Sequence, residues 1–327
     1  MGRFMIRSGV LILLFVTYQL WGTGIHTAQA QDDLGRQFRS TQEQLAEGEG
    51  STNGSSDPAP TTTTATDPST TGAATGSTIA PPVPGATGGL PVADPGQPIG
   101  QITIPRIGAD FYMVEGTDLK WLKDGPGHFS ATPMPGQAGN AAIAGHRTTY
   151  KAPFNRIDEL EPGDQITIVT LQGTFTYEVL PQEPNAPAGS ALGHRIVGPS
   201  AVEILDDKGD NRLTLMACNP KYSARERIVV EARLVGNPAP DTPKATATTS
   251  DETFANVDLA GGDQTARGPA ILWSLLALLI WFGAWYLAHR RLHGWWRVAP
   301  YAVAIPFFTL ALYAAFENIT RLLPGAY

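Results

Sequence analysis

Short apolar stretches separated by turn residues fill the middle of the chain, between residues 99 and 235. Apolar and polar side chains alternate in 164–170, and Gln172 and Gly173 then lead into a second alternating stretch at 174–180. Alternation with a period of two is typical of half-buried β-strands, and a tight turn between two such stretches indicates a hairpin. Helical periodicity is limited to short pieces of this region. The pattern therefore predicts an all-β barrel or sandwich with short helices at 98–236.

Two long apolar stretches follow at the C-terminal end, at 269–288 and 298–316. Each has about 20 residues, which at ~1.5 Å of helical rise per residue spans a ~30 Å hydrocarbon core. Residues 289–297 between them are rich in arginine and tryptophan, and the positive-inside rule places such a loop in the cytoplasm. We predict a two-helix transmembrane hairpin at 269–317 and an external tail at 318–327. The alternative is a buried helical hairpin of a soluble domain.

A third apolar stretch lies near the N-terminus, at 9–21, after Arg3 and Arg7. Ala28 and Ala30 match the small-residue pattern of a signal-peptide cleavage site, but an uncleaved signal anchor fits as well. Residues 1–30 are therefore a signal peptide or a signal anchor. Both interpretations place the chain after this segment outside the membrane.

The segments between these regions have a different composition. Residues 32–47 are polar with a faint helical pattern and predict a stalk, whereas 48–97 consist largely of Gly, Ser, Thr, Pro and Ala. Such a segment buries too little apolar surface to offset its ordering entropy. We therefore predict an extracytoplasmic stalk and disordered linker at 31–97, and a second linker at 237–268.

Charge and cysteine content narrow the function. The 327 residues carry a net charge of −7 with only 23 Lys and Arg, which gives no support for nucleic-acid binding. The sequence holds neither a cluster with metal-ligand spacing nor a glycine-rich phosphate loop, so we predict no cofactor and no metal. The single cysteine, Cys218, has no partner for an intramolecular disulfide.

Cys218 closes a strand-like stretch at 213–218, and Arg227 opens the next one. Alternation places both side chains away from the apolar face. Of the exported histidines we favour His146, because it ends a short apolar strand and is followed by polar residues. A thiolate, an imidazole and a guanidinium are the groups that acyl transfer needs. The non-catalytic alternative is that Cys218 is a buried residue with a packing role only, and that Arg227 is a solvated charge at the strand edge.

Three segments together resemble the sortases, which are cysteine transpeptidases that anchor proteins to Gram-positive cell walls. These segments are 140–147, 213–218 and Arg227 before its aliphatic strand, while 145–150 and 218–225 are most similar to class E enzymes of actinobacteria. The resemblance implies an eight-stranded sortase β-barrel. It also fits the N-terminal and C-terminal transmembrane helices and the linkers predicted above.

The resemblance also implies roles for individual residues. Cys218 is the expected nucleophile, His146 the general acid and base, and Arg227 the group that holds the substrate or its oxyanion. Thr148 and Tyr150 are expected to line the groove for the sorting signal. Ala217 is a further expected contact, and it departs from the family, which commonly has threonine immediately before the cysteine.

Two neighbouring residues are expected to have other roles. Arg225 competes with Arg227, but only Arg227 directly precedes the aliphatic strand, as in the family motif. His128 lies in a Gly-Pro-Gly-His turn, and we expect a structural role for it. If thiolate and imidazolium are both required, the rate should be bell-shaped in pH.

The implied activity is cleavage of an LAXTG- or LPXTG-type sorting signal and transfer of the acyl group to an amine. The implied partners are surface proteins with C-terminal sorting signals, a lipid II-like peptidoglycan precursor and the plasma membrane of a Gram-positive bacterium, with the catalytic domain extracytoplasmic. A pilin-polymerising sortase is an alternative, although Asp94-Pro95-Gly96 lacks the aromatic residue of the usual lid motif. A non-enzymatic surface β-domain is the other alternative.

Overall fold

A computed structural model of the protein describes residues 2–50, 93–182, 192–242, 264–290 and 298–322. Most of both predicted disordered linkers, the loop between the predicted transmembrane helices and the end of the tail lie outside these residues. The helices are α1 Gly2–Thr17, α2 Thr23–Gly50, α3 Leu119–Leu122, α4 Arg267–Arg290 and α5 Ala299–Leu322. The strands are β1 Pro98–Ile104, β2 Ala109–Glu115, β3 Gly127–His128, β4 Asn140–Ala144, β5 Gln165–Thr170, β6 Gly173–Val179, β7 Arg195–Val197, β8 Arg212–Asn219 and β9 Glu226–Val235.

The strands form one sheet that closes on itself. Their order is β6-β5-β1-β2-β3-β4-β8-β9-β7, and an additional β6–β9 pairing closes the ring. β9 is long enough to pair with β6 along its second half and with the short β7 near its start. Eight strands thus make the barrel, and the ninth, β7, pairs with β9 near its start. This confirms the predicted eight-stranded barrel. Closure leaves no free edge in the ring, so every barrel strand has two paired neighbours.

Strand alternation divides the side chains between two apolar clusters. The barrel interior holds Ile143 of β4, Leu215 of β8 and Val230 of β9, each fully buried. The outward-facing Ala144, Met216 and Val229 on the same strands belong to a second cluster, which Leu122 and Ile204 cover from outside the barrel. Burying both faces explains why β4, β8 and β9 are apolar over most of their length instead of strictly alternating.

The two C-terminal helices, α4 and α5, are long and apolar enough to cross a membrane, as predicted from the sequence. They pack on each other through Trp281, whose ring contacts Tyr301 and Phe308 at centroid distances of 5.9 and 5.4 Å. Few of their residues are buried inside the protein, so most of their apolar surface faces outward. Such a surface suits a lipid environment better than water.

The end of the N-terminal helix contacts α5. The ring of Phe15 lies 5.1 Å from that of Phe316, and the Tyr18 hydroxyl donates a hydrogen bond to Glu317. One residue further, the Gln19 side-chain amide donates to Thr320 Oγ1 at 3.0 Å. These contacts join the end of the N-terminal helix to the last turns of α5.

Helix α2 packs on the barrel, so the segment predicted to be a stalk does not stand free of it. Leu34 and Phe38 are buried, and Gln31 Nε2 donates to the carbonyls of Tyr112 and Asp124 at 2.9 and 2.8 Å. Gln31 Oε1 also accepts the Tyr112 N–H at 2.7 Å. The few apolar residues of this polar helix share one face with Gln31, and that spacing lets the helix dock.

Replacing Gln31 with alanine should loosen α2 from the barrel. The change leaves three half-buried backbone groups without a partner, and we expect a loss of about 1–3 kcal/mol in the free energy of unfolding. Gln37 on the exposed face of α2 is the matched control, because Gln37→Ala removes an amide from solvent. Hydrogen exchange of the α2 amides measures the effect. Equal exchange in the two variants would contradict this docking.

Candidate active site

Strand register brings Cys218, His146 and Arg227 to one end of the sheet. Cys218 and Arg227 are directly opposite partners in the antiparallel pair β8–β9, which sets their Cβ atoms about 4.5–5.5 Å apart. β4 runs parallel to β8 with Ala144 beside Met216, and the Gly145 N–H donates to the Met216 carbonyl at 3.0 Å. His146 therefore lies level with Cys218, on the side opposite Arg227.

The sulfur lies on the outer face of the barrel wall. Cys218 shares its face of β8 with Met216, which belongs to the outer cluster, whereas Ala217 belongs to the barrel interior. Ala217 lines the small cavity beside Cys218, although its side chain is on the inner face of the wall, because consecutive strand residues point to opposite faces. Any contact of Ala217 with substrate would run through its backbone.

The site is closed in this structure. His146 and Cys218 are each 5% exposed and Arg227 is 2% exposed. The cavity that His146 and Cys218 line with Leu122 and Met216 measures about 10 Å³, which is about the space of one water molecule. A peptide reaches the sulfur only after part of the surrounding wall moves.

Arg227 is oriented by the loop that precedes it. Its Nη1 donates to the carbonyls of Ala224 and Glu226 at 2.8 and 2.9 Å. Its Nε is buried with no hydrogen-bond partner among the described residues. The competing Arg225 is exposed. The fixed guanidinium of Arg227 thus keeps a free donor, which suits a substrate carbonyl or an oxyanion.

His146 is held by an aromatic residue behind its backbone. A Cβ at Gly145 would lie 2.6 Å from the Phe154 ring, so only glycine allows this approach. The Phe154 N–H donates to the His146 carbonyl at 3.1 Å, and His146 Nε2 is buried without a partner among the described residues. The Tyr150 ring centroid lies 4.9 Å from that of His146, and the buried Thr148 Oγ1 also has no partner there. Both expected groove residues are thus beside the histidine.

Arg147 is a site residue that the sequence motifs did not single out. Its Nη1 donates to the Cys218 carbonyl at 3.3 Å and to Asn219 Oδ1 at 2.6 Å, and its Nη2 pairs with Asp158 at 3.1 Å. The guanidinium is buried and ties the end of β8 to the loop that follows β4. Its position directly after His146 is the feature of the sequence that could have indicated a place in the site.

The two other histidines of the barrel region, His128 and His194, do not lie beside Cys218 in the cavity. His128 is buried with Nδ1 2.8 Å from Glu115 and Nε2 2.9 Å from the Pro133 carbonyl, so both nitrogens are occupied by the fold. His194 is also buried, and burial lowers its pKa. Among the described residues, no three His, Cys, Asp or Glu side chains group as metal ligands.

Burial controls the protonation of Cys218 and His146. It raises the pKa of the Cys218 thiol, and the charges of Arg227 and Arg147 only partly oppose this shift. It also lowers the pKa of His146 to about 4. The resting pair at neutral pH is therefore a neutral thiol beside a neutral imidazole, because the closed site disfavours both charged forms.

We expect a bell-shaped pH profile of kcat/KM whose limbs lie far apart. The thiolate–imidazolium pair has the same number of protons as the neutral pair, so the pair titrates as a unit. The acid limb then follows the His146 pKa of about 4, and the alkaline limb follows the Cys218 pKa, which burial raises. Below the acid limb activity falls because the Cys218–His146 pair gains a proton. Above the alkaline limb it falls because the pair loses one. An acid limb near 6.5, the ordinary histidine value, would contradict a reaction that starts from the closed site.

Comparison with known proteins agrees with this geometry. A family model described as a sortase domain matches residues 102–235. Sortase SrtE1 of Streptomyces coelicolor is 29% identical over 249 residues, 72% of this chain and 56% of that protein. Sortase D of Bacillus subtilis is 41% identical over 85 residues, 26% of this chain and 41% of that protein. The chain thus spans about half the length of these two curated relatives.

The solved structure of sortase E from Streptomyces avermitilis is 32% identical, with a TM-score of 0.36. The match covers 44% of this chain and 91% of that one. The sequence match includes nearly the whole strand region that forms the barrel, and class E enzymes are among the relatives, as the resemblance implied. The family match identifies residues 102–235 as a sortase domain.

Proposed function

We propose that this protein is a membrane-anchored cysteine transpeptidase. It cleaves an LAXTG- or LPXTG-type sorting signal and transfers the acyl group to an amine of a peptidoglycan precursor. The observation that carries the proposal is the placement of Cys218 between His146 and Arg227 on neighbouring strands. The three side chains supply a nucleophile, a proton carrier and an oxyanion donor within reach of one peptide carbonyl.

The first half-reaction forms an acyl-enzyme. The Cys218 sulfur, after giving its proton to His146, attacks the carbonyl of the threonine in the signal. Arg227 donates hydrogen bonds to the oxyanion that develops, and its unpartnered Nε is a donor available for that purpose. His146 then returns the proton to the departing glycine nitrogen as the threonine–glycine bond breaks. The second half-reaction reverses these roles with a new amine.

The unpartnered nitrogens argue against a purely structural cysteine site. Burying a polar nitrogen without a partner costs about 1–3 kcal/mol, and Arg227 Nε and His146 Nε2 are two such atoms at one site. A packing role for Cys218 gives no reason to retain them. A substrate that hydrogen-bonds to both nitrogens does give one.

Membrane anchoring is proposed from the helices. The outward-facing apolar surfaces of α4 and α5 suit a bilayer. The contact between the end of the N-terminal helix and α5 brings Tyr18 and Glu317 together. Helix α2, which continues the N-terminal helix, docks the barrel. We place the contact with α5 on the outer surface of the plasma membrane, with the catalytic domain extracytoplasmic.

The test uses the full chain in detergent with LAXTG and LPXTG peptides and an added amine. We expect mass spectrometry to show a product in which the threonine carbonyl is joined to the amine, with the LAXTG peptide preferred. Release of the free acid alone would indicate a protease. No cleavage of either peptide, with the protein folded by circular dichroism, would overturn the proposal.

A further inference from the structure

A groove outside the catalytic cavity lies between α2 and the segment 148–152. It encloses about 560 Å³ and is lined on one side by residues of α2, including Ala28 and Asp32, and on the other by Tyr150 and Lys151. Its α2 side begins at Thr23, directly after the π-helical segment Tyr18–Gly22, in which Tyr18 contacts Glu317 of α5. The groove is therefore at the membrane-proximal end of the barrel.

Tyr150 separates this groove from the reacting atoms. The side chain lines the groove, and its ring lies 4.9 Å from that of His146. His146 in turn lines the small cavity that contains Cys218. Displacement of the Tyr150 ring therefore joins a space of about 560 Å³ to the histidine and the sulfur.

The backbone beside the groove is strained. Tyr150, Lys151 and Ala152 have φ values of 53, 59 and 44°, although none is glycine. Non-glycine residues in this region cost about 1–3 kcal/mol each and cluster at ligand clamps and switch segments. The strained segment is held toward α2 by a 3.4 Å hydrogen bond from the Tyr150 N–H to Thr23 Oγ1. Its strain gives it a reason to rearrange when a ligand enters.

The second half-reaction requires an entrance on the histidine side. An amine nitrogen attacks the thioester carbonyl, the C–S bond breaks as the amide C–N bond forms, and the amine proton passes to His146. The amine must therefore approach where His146 Nε2 has no partner among the described residues. Tyr150 contacts the His146 ring and also lines the groove, so the groove is the space that adjoins the histidine behind Tyr150.

We propose that the groove between α2 and 148–152 binds the acyl acceptor, and that Tyr150 closes the passage from it to the acylated cysteine. The inference rests on the proposed function and adds the acceptor site to it. The ligand class is a primary amine on an extended peptide-like chain, and the membrane-proximal position suits a carrier embedded in the bilayer. Lys151 and Asp32 are exposed at opposite walls, where they meet charged groups of the chain behind the attacking amine.

The experiment separates the two half-reactions in the full chain. An LAXTG peptide first acylates Cys218, and the acyl-enzyme is then released by glycylglycine or by hydroxylamine, a nucleophile small enough to need no groove. Ala28→Trp fills the groove from α2. Ala30→Trp, two residues along the same helix and outside the groove lining, is the matched control. A second variant, Lys151→Asn, removes the charge with a residue that tolerates the left-handed backbone.

We expect Ala28→Trp to lower the second-order rate with glycylglycine about tenfold, with a much smaller effect on hydroxylamine release. Ala30→Trp should change neither rate. Lys151→Asn should raise KM for glycylglycine more than it lowers kcat. Equal glycylglycine rates in both tryptophan variants, together with an unchanged KM in Lys151→Asn, would overturn the acceptor site. If Ala28→Trp does not fold, Lys151→Asn alone decides. Failure of the wild-type chain to acylate would instead overturn the proposed function.

Discussion

Replacing Cys218 with alanine should abolish cleavage and transfer, with a loss on the order of 10⁴-fold or more. Cys218 is the only cysteine in the chain, so no other thiol can take its place. The reason is chemical: without the sulfur no acyl-enzyme forms, and the remaining donors only polarise the substrate. Peptide cleavage followed by liquid chromatography measures the loss.

Two further variants make this expectation specific. Cys218→Ser keeps the size of the side chain but replaces the thiol with a much weaker acid, and it should also be inactive. His146→Gln should lose activity to a similar extent while it keeps the fold, because residues that act as a unit are not additive. Activity in Cys218→Ala within tenfold of the wild type would remove the nucleophile assignment.

Arg227→Ala should lower kcat/KM about 10²–10³-fold, which is the effect of removing one oxyanion donor. Arg227 is buried opposite Cys218 in the β8–β9 register, with an unpartnered Nε. Arg227→Lys should restore little, because a lysine ammonium does not reproduce the planar donor arrangement of a guanidinium.

Arg225→Ala is the matched control for this experiment. Arg225 lies two residues earlier and is exposed, so its removal changes a surface charge and little else. We expect a rate close to that of the wild type. The opposite result, with Arg225→Ala inactive and Arg227→Ala active, would exchange the roles of the two arginines.

The strand pattern predicted an all-β fold, whereas the eight-stranded barrel and the roles of the three site residues were predicted from the resemblance. Alternation along the strands placed Cys218 and Arg227 on the outward face, and the structure has them as directly opposite partners. The same alternation placed Ala217 on the apolar face, where the structure has it. The expectation that Ala217 contacts substrate came from the resemblance alone and stays a prediction.

Docking of α2 was not predictable because its signal is carried by polar groups. Gln31 bonds to two backbone carbonyls and one N–H of the barrel, and those partners are remote in sequence. Closure of the site was not predictable from the sequence either. The left-handed backbone at Tyr150 and Lys151 and the contact with Thr23 depend on how separate elements pack, and no local pattern reports that.

The most direct test of the cysteine mechanism is the intact mass of the protein after acid quenching during turnover of an LAXTG peptide. We predict a thioester adduct on Cys218 equal to the peptide up to its threonine, which disappears when an amine is added before the quench. Turnover with no adduct on Cys218 at any time, or an adduct on another residue, would contradict this mechanism.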